Sequence, residues 1–305
     1  MDAEHGCGYV LVTPARNEEA FIERTIVSVV SQTVPPRKWV IVSDGSTDAT
    51  DAIVSRYASQ YPFIRLIRRE SGANRNFGSK IMAFNAGYAA LKDTTYDLIG
   101  NLDADVSFEP RYYETMLEKF SQNPGLGLAG GEIYEYYDGR EYAYNSSPWH
   151  VSGAIQLFRR EAFEDIGGYR AIEKGCVDAL ACIMVPMRGW KVEKYPEIKV
   201  THYRRQGSAK GVLSTRYHYG ALERSLGYHP LYEALKCARR LRERPYVLGS
   251  LSHLSGYIIA GIRNGPYLVG DEVREYLRKE HLQRIKQRIA QVTGSIMRLR
   301  GPAGL

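Results

Sequence analysis

Three groups of side chains suited to polar chemistry stand out by type and spacing. Thr13-Pro14-Ala15-Arg16-Asn17-Glu18 follows one apolar run, Ser43-Asp44-Gly45-Ser46 a second, and Asp103-Ala104-Asp105 a third. Each apolar run reads as a short strand, so each group falls at a strand's carboxyl end. Two carboxylates two residues apart at a strand end converge only where the backbone turns between them, and Ala104 permits such a turn. A divalent cation then neutralises the pair. All-oxygen ligation suits Mg2+ or Mn2+, which keep some waters and take further ligands from phosphates. Alone, a D-x-D is weak, since a capped loop ahead of a helix at Pro110 explains it more simply.

The elements that must position these groups alternate along the first half. Residues 9–13, 39–43, 64–67 and 98–102 are short apolar runs. Between the first two, Ile22, Ile26, Val29 and Val30 recur at helical spacing, and Pro35-Pro36 ends that helix. Ser46-Thr47-Asp48 supplies caps for a helix through about Ser59, and Ile81, Phe84, Gly87, Tyr88 and Leu91 mark another. The order predicts a mainly parallel sheet with helices on both faces, whose ligands sit beyond the carboxyl ends of the strands. Further on, 125–131 and 154–158 read as strands, 134–144 as a tyrosine-rich loop or hairpin, and 160–166 as a helix ending at Gly167-Gly168. Residues 179–187 read as a helix that Pro186 kinks or shortens, and 198–202 as the last strand.

Bulk properties narrow the class. With 305 residues, 44% hydrophobic and 25% charged, the chain can bury a sizeable core, which excludes wholesale disorder. Four cysteines (Cys7, Cys176, Cys182, Cys237) without a C-x-x-C pair exclude a small disulfide scaffold and suit reduced thiols in a cytoplasmic protein. The first eight residues include Asp2 and Glu4 and lack the apolar stretch of a signal peptide. Charge is uneven: residues 1–200 carry 22 Lys and Arg against 27 Asp and Glu, whereas 201–305 carry 19 against 7. A basic C-terminal region points to an anionic partner.

Together the motifs are far more specific than any one of them. T-P-A-R-N-E-E at 13–19, V-S-D-G-S-T-D at 42–48 and L-D-A-D at 102–105 resemble the family-2 glycosyltransferases. Lys80 with Asn85-Ala86-Gly87, F-R-R-E-A-F-E-D-I-G-G-Y at 158–169 and Gly189-Trp190-Lys191-Val192 extend the likeness over residues 9 to about 205. The resemblance implies a GT-A fold, a Rossmann-like α/β domain over residues 1–220, followed by a basic α-helical extension over 221–305. It implies an inverting enzyme that uses a nucleotide-diphospho-sugar, linked to UDP or GDP, with Mn2+ or Mg2+ and a hydroxyl acceptor on a glycan or lipid.

By that resemblance Thr13, Ala15, Arg16 and Glu18 line the nucleotide pocket, and Asp44 accepts the ring N–H of the base. A charged acceptor strengthens such a bond; the plainer role for Asp44 is a turn residue. Asp103 contacts the ribose or the metal, and Asp105 ligates the metal. Lys80 holds the pyrophosphate or is simply a solvent-facing helix lysine. Relatives carry an acidic E-D-x-D-L segment about eleven residues before their G-[YW] pair. Here Val177 and Leu180 replace two of its acids, and Asp178 is the carboxylate left to act as general base. Asp178 could equally cap the following helix. His202 is the candidate third metal ligand, with Arg205 and Lys210 as phosphate clamps on a loop that Gly207 and Gly211 would let move. Trp149 and His150 fall where relatives place acceptor-side residues; a packed indole is the bland alternative.

The C-terminal region has its own pattern. Leu231, Ala234, Leu235, Ala238 and Leu241 form an apolar stripe opposite Lys236, Arg239, Arg240, Arg242 and Arg244. Residues 246–262 carry no formal charge but include three glycines, three serines and His253, short of the ~20 strongly apolar residues of a membrane span. A further stripe runs from Val273 to Val292 opposite basic residues. These helices either lie peripherally on an anionic membrane, at its cytoplasmic face, or pack within the domain. Other readings fare worse. A nucleotidyltransferase would need a Gly-rich loop after the first strand, and residues 13–19 contain no glycine. Nucleic-acid binding would interleave aromatics with the basic runs, and Tyr217, Tyr219, Tyr228 and Tyr232 do not. A homologue that binds nucleotide or glycan without turnover remains as the alternative to the transferase, on the thinned acidic segment around Asp178.

Overall fold

The architecture is that of a computed structural model, which describes residues 7–70, 77–143, 149–170, 172, 175–204, 211–243 and 245–299. The chain divides into two compact units, Met1–Gln206 and Gly207–Leu305. Position 220, where the sequence suggests a change of character, lies inside a helix spanning Val212–Ser225.

In the first unit, β1 (Tyr9–Ala15), β2 (Lys38–Asp44), β3 (Ile64–Arg69) and β4 (Leu98–Asn101) pair in parallel, in the order β3-β2-β1-β4. The helices between them are α1 (Ile22–Val30), α2 (Thr50–Ala58) and α3 (Phe77–Ala89). Alternation along the strands feeds both faces. Tyr9 and Leu11 of β1 and Trp39 and Ile41 of β2 pack into one core with Ile22, Ile26 and Val29 of α1 and Val54 of α2. Val12 and Val42 point the other way, toward Gly87 of α3.

Beyond β4 the sheet becomes mixed. A short strand β5 (Val106–Phe108) leads into α4 (Tyr112–Gln122). Then come β6 (Leu126–Tyr137), β7 (Arg140–Ala143), β8 (Leu157–Arg159), α5 (Arg160–Asp165), α6 (Val177–Met187) and β9 (Lys191–His202). The sheet continues from β4 through β8, β6 and β9 to β5, with β7 hairpinned onto β6. Three residues of β5 and the early start of β9 escape the sequence pattern because neither alternates cleanly. The tyrosine-rich stretch is the β6–β7 hairpin, pinned by a stacked Tyr137–Tyr142 pair at 4.2 Å. Pro186 lies in the last turn of α6, which ends one residue later at Met187; its ring takes one N–H out of the i→i−4 ladder there. Phe84, Phe158, Phe163 and Tyr169 form an aromatic cluster that ties α3, β8 and α5 together.

The second unit is helical: α7 (Val212–Ser225), α8 (Pro230–Arg239), a 3-10 turn at Arg240–Arg242, α9 (Tyr246–Ile262) and α10 (Asp271–Leu299). Helices α7 and α9 cross with backbones nearly touching. A Cβ on Gly220 would meet the His253 carbonyl, and one on Gly256 the Tyr217 carbonyl. Pro230 opens α8 at its first turn, and the His229 ring accepts the Leu231 N–H as a cap. His281 of α10 stacks on Tyr232 at 3.9 Å. Burial, then the Arg284 and Lys236 charges, push its pKa down to about 3.

Candidate active site

The loops after β1 and β2 brace each other. Asn17, in the left-handed region at φ 55°, accepts the Thr47 N–H through its side chain and donates its own N–H to Ser46 Oγ. The Glu18 N–H donates to Thr50 Oγ1, and the Glu19 carboxylate accepts from the Ala49 N–H. This lacing buries Glu18 to 6% exposure and fixes its carboxylate.

Asp103 and Asp105 sit in the turn between β4 and β5, so the backbone does turn at Ala104. The Asp103 N–H donates to the Ala154 carbonyl, and the Asp105 carbonyl accepts the Tyr203 N–H. Antiparallel pairing of β5 with β9 sets Val106 opposite His202, which brings His202 beside Asp105. His202 Nε2 lies 3.2 Å from Asp105 Oδ1, and Arg204 Nε lies 3.7 Å from Oδ2. Arg204 also clasps Glu18 with two guanidinium N–H groups, at 3.0 and 2.6 Å. On the other side Lys80 donates to Asp103 at 2.6 Å.

Electrostatics follow from this crowding. Burial works against the Asp105 carboxylate, but His202, Arg204 and Lys80 outweigh it and hold its pKa below the ordinary range. Burial also disfavours the His202 imidazolium, yet Asp105 and Asp103 win and raise its pKa. Lys80 stays charged above its ordinary range: burial opposes the ammonium, while Asp103, then Asp105 and Asp178, more than offset it.

Asp103, Asp105 and His202 offer two carboxylate oxygens and a ring nitrogen within 4.8 Å of one another. The donor set fits Mn2+ or Mg2+. His202 Nδ1 is buried with no hydrogen-bond partner among the described residues, which fits a site built for more than its own side chains. In the helical unit Glu233, Cys237 and His253 also lie close enough for a metal, but Lys236 and His253 already pair with the carboxylates there.

Because His202 must be unprotonated to ligate through the nitrogen that Asp105 engages, metal and proton compete. Its raised pKa moves that competition to higher pH than for an ordinary imidazole. Mn2+ affinity measured by titration calorimetry is therefore expected to rise with pH from 6 to 8.5, and His202→Gln to flatten the profile. An unchanged slope in the variant would remove His202 from the ligand set.

Asp178 lies in the first turn of α6, whose N-cap is Cys176 in the left-handed region at φ 69°, so it is not the helix cap. The Gly153 N–H donates to Asp178 Oδ2 at 3.2 Å, and His150 Nε2 lies 3.6 Å from the same oxygen. A Cβ on Gly153 would come within 2.9 Å of Asp178 Cβ, so only glycine allows this approach. Gly153 precedes the Ala154 carbonyl that holds Asp103, a short backbone path from one acid to the other.

Asp44 ends β2, one strand over, with Ala15 in register beside Ser43. It is 4% exposed and accepts from Arg69 at 2.9 Å. Ala15 is buried on β1. Thr13 departs from expectation: its hydroxyl is fully buried and accepts from Trp39 Nε1, so it turns into the core rather than toward a ligand. Trp149 is not a packed indole, being 57% exposed. Arg205 and Lys210 lie outside the described residues. Among the described residues Arg204 joins Lys80 as a cation on the acids; it lies in the bend just past β9, two residues after His202, and both converge on the Asp105 carboxylate. Nothing in sequence spacing pointed to Arg69.

Known proteins share this chain's family and fold. The family model described as glycosyl transferase family 2 matches residues 10–180. A beta-monoglucosyldiacylglycerol synthase from Synechocystis sp. is 29% identical over 205 residues, 60% of this chain and 41% of that protein. A poly-beta-1,6-N-acetyl-D-glucosamine synthase from Staphylococcus epidermidis is 27% identical over 170 residues, 50% of this chain and 39% of that one. The chain thus spans well under half the length of these curated relatives. Among solved structures, a mannosyltransferase from Pyrobaculum calidifontis in complex with GDP-Man and Mn2+ superposes with a TM-score of 0.54 at 17% identity, covering 98% of this chain and 82% of that one. S. aureus TarS in complex with UDP-GlcNAc gives 0.55 at 14%, covering 88% and 78%. At such identities they show the fold, which is GT-A. With its family motifs gathered at the carboxyl ends of the strands, the chain belongs to glycosyl transferase family 2.

Proposed function

We propose that the protein is an inverting glycosyltransferase that moves a sugar from a UDP- or GDP-linked donor to a hydroxyl acceptor, in polysaccharide or glycolipid assembly. One observation carries the reading: Glu18, Asp103, Asp105, His202 and Arg204 converge at the strand ends, with Lys80 beside them. The named activities of the relatives and the nucleotide-sugars bound to the structural neighbours support the donor class.

Asp44, Ala15, Arg16 and Glu18 would hold the nucleoside, with Asp44 accepting from the base. Asp103, Asp105 and His202 would hold Mn2+ or Mg2+, which when bound neutralises the diphosphate and the charge growing on the leaving nucleotide. Lys80 and Arg204 are the cations placed to add to that neutralisation; without a ligand they rest on the acids. Asp178 takes the proton from the attacking hydroxyl. Among the described residues its contacts from Gly153 and His150 both fall on Oδ2, and Oδ1 would be the oxygen that takes the proton. Attack on the face opposite the nucleotide inverts the anomeric centre. Trp149 and His150 belong to the acceptor side, and peripheral placement on the cytoplasmic face of an anionic membrane would suit a lipid-linked acceptor.

The test is a thermal-shift panel of UDP- and GDP-sugars with and without Mn2+. A ligand at 100 times its Kd stabilises the native state by ~2.7 kcal/mol, a rise of several degrees. One donor class is expected to give that rise only with metal. If no nucleotide-sugar shifts the transition under either condition, the reading fails.

A further inference from the structure

Two helices of the second unit bury charged or polar side chains and leave apolar ones outside. Helix α8 turns two of its charged residues inward: Glu233 is 0% exposed, and Lys236 donates to it at 2.9 Å and also to Glu223 of α7. His253 of α9 completes the cluster, 2.8 Å from Glu223 and 2.9 Å from Glu233. Lys236 and the His253 ring face two carboxylates, so this part of the interior is polar. The apolar stripe of α8 faces outward instead: Leu231, Ala234, Leu235 and Ala238 are exposed, with Leu241 beyond them.

Helix α9 repeats the inversion. Its buried side is Gly249, Ser250, His253, Gly256 and Tyr257. Its exposed side includes Val247, Leu248, Leu251, Ile258 and Ile262, the last 77% exposed. A water-soluble domain sorts these residue types the other way. A contiguous exposed apolar face marks an interaction surface. Guanidinium groups flank it: Arg239 and Arg242 are exposed beside Leu241, and Arg263 beside Ile262. No helix among the described residues is long and apolar enough to cross a membrane. Aliphatic faces rimmed by arginine match the interfacial zone of an anionic bilayer, where acyl chains take the leucines and headgroup phosphates take the guanidiniums.

We infer that the outward faces of α8 and α9 seat this unit on an anionic lipid bilayer. This narrows the sequence-based expectation to particular residues, since within the helical unit itself the α8 stripe is left uncovered. It stands apart from the transferase reading, since its readout needs neither donor nor turnover.

The experiment is co-sedimentation of the full chain with vesicles of phosphatidylcholine alone and of phosphatidylcholine with phosphatidylglycerol. Binding is expected to the mixed vesicles, to be far weaker on phosphatidylcholine, and to fall as salt rises. Removing one inserted leucine is worth about a tenfold loss or more, so Leu235→Glu and, separately, Leu248→Glu should each lower vesicle affinity by at least that factor. Both positions are exposed, so circular dichroism should be unchanged; Ile262→Glu serves as a third variant. Arg239→Glu with Arg242→Glu should abolish the phosphatidylglycerol preference. Three results overturn the inference: no binding to the mixed vesicles, binding that the leucine variants leave intact, or a dimer in light scattering that Leu235→Glu dissociates, which would assign the face to a second copy.

Discussion

Asp105→Ala is expected to leave a folded protein whose turnover no longer responds to Mn2+, with a fall in kcat of about a thousandfold, equivalent to ~4 kcal/mol of transition-state stabilisation. The fold survives because the charges around Asp105 have other outlets. Arg204 keeps its two bonds to Glu18, Lys80 keeps Asp103, and His202 can shed its proton. The metal site does not survive, because one of its two carboxylates is gone. The Mn2+-dependent donor shift in melting temperature should vanish with the activity. Acid stability supplies a second readout. The pKa of Asp105 is lowered in the folded state, so its contribution is full above about pH 4, the unfolded value, and fades as pH falls through the folded one. The variant should lack that part of the acid-side loss. A variant that keeps wild-type Mn2+ dependence would detach the D-x-D acids from the chemistry.

Asp178→Asn should separate chemistry from binding. The amide can still accept from the Gly153 N–H through its oxygen, so the geometry at α6 is preserved. What it cannot do is take a proton at neutral pH. A general base contributes about 10²–10⁴ in rate, and a loss of that size in kcat is expected while the donor-induced thermal shift stays as in the wild type. The pairing of results matters. Loss of the shift as well would make Asp178 part of the donor pocket. Undiminished kcat would move the base elsewhere. A wild type that binds donor but transfers nothing to any acceptor would favour a binding homologue over an enzyme, the reading that the missing acids at Val177 and Leu180 invite.

The alternating first half was legible because its signals are local. Apolar runs with helical spacing between them give β1 to β4 and α1 to α3, and the acids that follow each strand share one edge because parallel strands share their direction. The D-x-D turn was legible for the same reason. The pairing of β5 with β9 was not. It joins segments nearly a hundred residues apart, and only that register sets His202 and Arg204 against Asp105. Arg204 was not singled out by the sequence, and the geometry sets it against two acids, Glu18 and Asp105.

The sequence by itself determined the class of chemistry: acidic groups at strand ends, a single carboxylate left in the base segment, a basic tail. The tertiary structure alone decided direction. Thr13 reads as a loop hydroxyl until Trp39 claims it for the core. The α8 stripe reads equally as a membrane-facing or a packed surface until Glu223 and His253, contributed by two other helices, draw Glu233 and Lys236 inward and leave the leucines outside. Periodicity says that a helix has two faces. Which face is buried depends on what the neighbouring elements bring to it, and that is fixed only when the chain has folded.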